Sequence, residues 1–144
     1  MFANFARQRS IAVYHLHMGG PDGDAAACDA LCAPRFEARL GALGIYFVNS
    51  AAQADVMLVT GLLLARDLDS VLREIASLPQ PSTLITVGDC AINGGQWAKL
   101  EMPGLSAHPL SYYADIPFHV PGDPPAPHDI LNAIGEYNSR LAGY

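Results

Sequence analysis

A chain of 144 residues has room for one domain with a single sizeable core. Its net charge of −6, with no basic run or stripe, excludes a partner that presents phosphates, so no nucleic acid is expected. Apolar residues make up 51% of the chain, yet no apolar run reaches the ~18 residues needed to cross a bilayer.

The longest such run, residues 56–65, is interrupted by Thr60 and Gly61. Residues 1–10 carry Arg7 and Arg9, but no apolar signal segment follows them. The expected location is cytoplasmic, with no direct membrane insertion and any peripheral attachment made through partner subunits. The charged fraction of 15% falls below the roughly one quarter usual for soluble domains. That suits a sheet buried on both faces, a surface covered by partners, or both. Cys28, Cys32 and Cys90 are an odd set without secretion signals, so reduced thiols or metal ligands are expected rather than disulfides.

In chain order, residues 11–17 read as a first strand, and 18–24 (MGGPDGD) as a turn-rich loop. Residues 25–43 have helical spacing, with Pro34 interrupting or bending the helix. Gly44 marks its stop, and 45–48 form a short second strand. The apolar run 55–60 is a strand buried on both faces. Residues 67–78 place Leu68, Val71, Leu72, Ile75 and Leu78 on one helical face. Residues 83–87 make the next buried strand, and 88–113 form a long segment that resists regular structure. A short strand at 118–120, a stiff loop at 121–127 (PGDPPAP) and a closing helix at 129–141 complete the chain.

Strands alternating with helices predict an α/β fold with a mainly parallel sheet. One domain is expected: residues 11–141, preceded by an extension over 1–10. Such a sheet presents its site in the loops beyond the carboxyl ends of its strands. Those loops are 18–24, 61–66, 88–95 and 121–127, and three of the four are rich in Gly or Pro.

Five segments in this order, HMGGPDGD, LCAPRFEARL, ADVMLVTG, VGDCAINGG and VPGDPPAPHDIL, carry a resemblance that spans roughly residues 11–137. The chain resembles the small iron–sulfur subunits of energy-converting membrane-bound NiFe hydrogenases and the complex I 20 kDa subunit. The resemblance implies a single-domain, flavodoxin-like three-layer sandwich. It also implies one 4Fe–4S cluster, held by a Cys-x-x-Cys pair, a third Cys in a Gly-x-Cys-Ala segment and a fourth in Pro-Gly-Cys-Pro-Pro. Those ligand positions fall on Pro21, Asp24, Cys90 and Asp123, so only Cys90 is retained. An acidic residue that the family places after its first pair falls near Ala27 and is also missing. The form is degenerate. Thiolates suit iron and sulfide, carboxylate is a hard substitute, and Pro21 offers no donor at all. No cofactor is therefore expected; the alternative is an atypical 4Fe–4S cluster held through Cys90 and substitute ligands.

Each remaining candidate has two readings. Cys28 and Cys32 are four apart on the expected helix and could replace the lost pair, but read better as core thiols. Cys90 reads as a small apolar filler beneath a Gly-rich loop, its thiolate disfavoured by acidic neighbours. Asp24, Cys90 and Asp123 are weak candidates for a divalent metal site, with water or His119 as a fourth group. The favoured reading makes Asp24 a helix cap and leaves Asp123 in a Pro-rich turn. His15 and His17 share one strand face and read as structural; His108 and His128 show no ligand spacing.

No nucleophile–base pair can be read from spacing, so no catalytic residue is assigned. A flavodoxin-like small-molecule domain is weakened by the lack of a GxGxxG or GxxxxGKS/T phosphate cradle. The leading expectation, implied by the resemblance, is a non-catalytic structural subunit. Its partners would be a hydrogenase large subunit or complex I 49 kDa-like protein and, indirectly, membrane-arm subunits. Trp97, Leu100, Met102 and Leu105 are its expected contact residues.

Overall fold

The computed structural model describes residues 10–20 and 23–142. Five strands lie at Ile11–His17 (β1), Ile45–Phe47 (β2), Val56–Thr60 (β3), Thr83–Val87 (β4) and Phe118–Val120 (β5). Helices occupy Gly23–Asp29 (α1), Pro34–Leu43 (α2), Leu68–Ala76 (α3), Asp89–Asn93 (α4), Gly95–Lys99 (α5), Leu110–Tyr113 (α6) and Pro127–Ala142 (α7). All strand pairs are parallel, in the order β2-β1-β3-β4-β5. That is the order of a flavodoxin-like doubly wound sheet.

Two apolar layers sandwich this sheet. On one face Ile11, Val13, Val56, Leu58, Ile85 and Val87 pack against Cys28, Leu31 and Phe36 of the first helical segments and Ile130, Leu131 and Ile134 of α7. On the other, Met57, Val59 and Leu84 meet Val71 of α3, Ala91 of α4 and Leu110 of α6. All five residues of β3 and all five of β4 are buried, as strands covered on both faces require. The α3 stripe is as expected: Leu68, Leu72, Ile75 and the following Leu78 all pack on the second layer.

Three expectations need correction. The helix over 25–43 is broken: α1 ends at Asp29, a 3₁₀ turn spans Ala30–Cys32, and α2 restarts with Pro34 in its first turn. Proline lacks the N–H that a continuing helix would need, and Ala33 before it is extended at ψ 148°. The loop over 18–24 is shorter than expected, because Gly23 and Asp24 already belong to α1. The segment 88–113 is largely helical in three short pieces, separated by glycine punctuation that hid them from periodicity. Among the described residues no helix is long and apolar enough to cross a membrane.

A polar knot interrupts the first apolar layer. His17 stands opposite Thr60 in the β1–β3 register, and His15 lies two residues earlier on the same face. His15 Nε2 and His17 Nδ1 both reach the fully buried Thr60 Oγ1, at 2.8 and 2.9 Å. Both histidines are thus tied into the sheet through one hydroxyl. Replacing Thr60 with Val keeps the shape and removes both bonds. The expected loss is about 1–3 kcal/mol, read from the urea midpoint at unchanged m-value. An unshifted midpoint would show that neither imidazole depends on the hydroxyl.

Candidate functional site

The loops leaving β4 and β5 are laced together at the carboxyl edge of the sheet. Gly88 N donates to Val120 O at 2.7 Å, Asp89 N to Gly122 O at 2.9 Å, and Gly122 N to Asp89 Oδ1 at 2.9 Å. Asp24, brought in by the first turn of α1, lies across this lacing. A Cβ placed on Gly88 would fall 2.1 Å from the Asp24 Cγ and Oδ2 atoms. Only glycine lets the carboxyl approach so closely, and the φ of 89° at Gly88 favours glycine independently.

Asp24 is only 4% exposed, and its Oδ1 has no hydrogen-bond partner. Burial, then the charges of Asp123 and Asp89, push its pKa from an ordinary 3.8 to about 6, while His17 acts in the opposite direction. The Cys90 thiol is also pushed up, by burial first and then by Asp24, Asp123 and Asp89. Three of the four implied ligand positions, Asp24, Cys90 and Asp123, are therefore electrostatic neighbours. Pro21 lies outside the described residues. The group that sequence reasoning missed is Asp89. Its signal was in view, one residue before Cys90 in the GDCA segment.

The capping reading of Asp24 fails, because the side chain is buried inside the first turn with an unbonded oxygen. Asp123 does sit exposed in the Pro-rich turn. His119 is hydrogen-bonded to Thr86 through Nδ1. Cys28 is a core thiol, its pKa raised to about 12 by burial and then by Asp29, Asp24 and Cys32. Cys32 is not: the break after Asp29 takes it off the α1 face and leaves it exposed on the 3₁₀ turn.

Four thiolates hold a 4Fe–4S cluster in the ordinary case. The described positions instead supply one buried thiol, held toward its protonated form, and carboxylates. This donor set does not fit such a cluster. Among the described residues no three His, Cys, Asp or Glu are already arranged to hold a metal ion.

Of the expected contact residues, Leu100 is 70% exposed, whereas Trp97, Met102 and Leu105 are half-buried. Leu105 is tied inward by a bridge to Leu64. Tyr112, 66% exposed and stacked on His108 at 3.8 Å, is a contact candidate that the sequence reading missed.

A family profile described as the 20 kDa subunit of NADH ubiquinone oxidoreductase matches residues 22–137. An uncharacterized protein of Methanocaldococcus jannaschii is 30% identical over 134 residues, 93% of this chain and 86% of its own length. The "Probable membrane-bound hydrogenase subunit mbhJ" of Pyrococcus furiosus is 32% identical over 134 residues, 93% of this chain and 77% of its own. An NADH-quinone oxidoreductase subunit of Rubrobacter xylanophilus is 32% identical over 100 residues, 67% of this chain and 37% of its own. Among solved structures, a chain of the archaeal membrane-bound sulfane sulfur reductase superposes with a TM-score of 0.77 at 21% identity, over 99% of this chain and 76% of that one. A chain of the NAD⁺-reducing NiFe-hydrogenase gives 0.67 at 19%, over 92% and 93%. At such identities the two superpositions establish the fold alone.

The state of Asp24 can be read from stability. A folded-state pKa above the unfolded one favours folding while the acid is protonated, and that contribution is lost as pH rises from about 4 through about 6. Asp24→Asn should therefore stabilise the protein by up to about 3 kcal/mol at about pH 7.5, with the gain vanishing near about pH 4. Denaturant unfolding at several pH values tests this, and a pH-independent difference would contradict it.

Proposed function

The chain belongs to the family of the 20 kDa subunit of NADH ubiquinone oxidoreductase, and from that premise we propose that it is a non-catalytic, cluster-free subunit of a hydrogenase-related or complex I-like oxidoreductase complex. Its role is to dock against a larger subunit. The observation that carries this reading is the mismatch between fold and donors. The sheet persists, while the described ligand positions hold one thiol, held toward its protonated form, and two carboxylates.

Without a cluster this chain has no group that accepts and passes single electrons, so packing is its remaining contribution. The exposed Leu100 side chain and the Tyr112–His108 stack lie in the 95–113 segment and supply an apolar contact of the kind that partner surfaces use. Attachment to a membrane would be peripheral and made through partners. The competing reading keeps an atypical cluster on Cys90 and substitutes, and the convergence of Asp24, Cys90 and Asp123 is the one observation in its favour.

Anaerobic purification with cluster reconstitution, followed by iron and sulfide analysis, separates the two. A colourless, folded, iron-free protein is expected. About four irons and matching sulfide, as in a thiolate-held cluster, would overturn the reading. Co-purification with the large subunit of a related complex should then be lost in a Leu100→Glu, Tyr112→Glu variant. Undiminished capture would remove this surface from the proposal.

A further inference from the structure

The Thr60 hydroxyl serves two imidazoles at once, and its single hydrogen limits what those rings can carry. His15 Nε2 and His17 Nδ1 lie 2.8 and 2.9 Å from the fully buried Thr60 Oγ1. Among the described residues Thr60 Oγ1 bonds to no other side chain. A hydroxyl donates one hydrogen and accepts two, whereas a neutral imidazole donates at one nitrogen and accepts at the other. Asp29 Oδ1 stands 3.6 Å from His15 Nδ1, and its charge favours the ring hydrogen on that nitrogen. His15 Nε2 then accepts from Thr60, and Thr60 accepts from His17 Nδ1. With Asp29 charged, this arrangement of the neutral pair satisfies every atom of the knot.

We propose that His15, Thr60 and His17 form an acid-sensitive latch on the loops that follow β1 and β3. The latch is closed while the pair carries at most one added proton, and a second proton opens it. The first proton is accommodated on either ring. On His17 Nε2 it leaves the bonds unchanged; on His15 Nε2 it reverses them, with Thr60 donating to His17 Nδ1. The second proton makes both rings donors to Thr60, whose own hydrogen then has no acceptor in a site closed to water. Two like charges also face each other across one oxygen. Burial lowers the His15 pKa against the upward pull of Asp29, and the charge of His17 lowers it further. The other charged groups facing the pair are Asp24 of α1, which acts on His17, and Asp67, Arg73 and Glu74, which line a cavity with His17. His17 is also where the latch meets the loops. A Cβ on Gly61 would fall 2.8 Å from His17 Cε1 and 2.4 Å from Gly19 O, the atom to which Leu62 N donates at 2.9 Å. A ring that leaves Thr60 therefore moves against that join.

Nuclear magnetic resonance of the imidazole nitrogens, with the full chain titrated from neutral to acid pH, reads each ring separately. The second proton should bind at least about tenfold more weakly in the native chain than in Thr60→Val, where no hydroxyl hydrogen is orphaned. Thr60→Ser, which keeps the hydroxyl, should restore the native value. Hydrogen exchange at the Leu62 amide reads the latch itself. Its protection should fall at least about tenfold as the second proton binds to the native chain. His15→Gln leaves one ring to titrate and should keep Leu62 protected at that same pH, which separates the latch from acid unfolding driven by other groups. Asp24, Asp29, Asp67, Arg73 and Glu74 are unchanged in all these variants. Equal second-proton affinity in the native and Thr60→Val chains overturns the latch. So does loss of Leu62 protection at the same pH in the native and His15→Gln chains.

Discussion

The contact between the Asp24 carboxyl and the bare Cα of Gly88 organises the whole carboxyl edge of the sheet. It joins the segment after β1 to the segment after β4, and Gly88 in turn hydrogen-bonds to Val120 at the end of β5. A second glycine makes a parallel join between β1 and β3. Gly61, at φ 88°, lies so close to Gly19 that a Cβ there would fall 2.4 Å from the Gly19 oxygen, and Leu62 N donates to that same oxygen at 2.9 Å. The described parts of these loops are therefore fixed by backbone bonds together with two aspartate side chains, Asp24 against Gly88 and Asp89 against Gly122.

The sheet beneath supplies the rigidity that this edge needs. Parallel strands covered on both faces exclude water from the ladder, and β3 and β4 are buried throughout. One region departs from this rule. Between β2 and β3 the chain crosses over β1 through residues 48–55, with a single 3₁₀ turn at Ala51–Gln53 where a crossover helix is usual. Tyr46 of β2 is accordingly left 50% exposed. Together with the exposed Leu100 and Tyr112, it accounts for part of the low charge fraction: the apolar excess goes first into the doubly covered strands and then into the surface.

How much of this was legible in the sequence follows from what each signal measures. Strands buried on both faces announce themselves as unbroken apolar runs, so VMLVT and TLITV could be placed to within a residue. The α3 stripe was equally plain at helical spacing. Local chemistry decided the rest. Pro34 signalled an interruption, but not that α1 would end five residues earlier, and that break separates a buried Cys28 from an exposed Cys32. The three short helices between Asp89 and Tyr113 are each five residues or fewer, below the length at which periodicity can be distinguished from chance. For the site, the resemblance to the family, and not spacing, placed Asp24, Cys90 and Asp123 together. It could not reveal that Asp24 would be buried without a partner, because that depends on the approach to Gly88 across the fold.

The carboxylates distinguish this site from simple decay of a cluster site. A position released from holding iron, and kept only for packing, is served best by an apolar residue of fitting volume, since a buried unpaired carboxylate costs stability. The chain instead places one aspartate inside the edge and two more beside it, together raising the proton affinity of the most buried one. A proton neutralises only one of these charges. The proton held by Asp24 removes the one charge that burial penalises most, while Asp123 stays exposed to water.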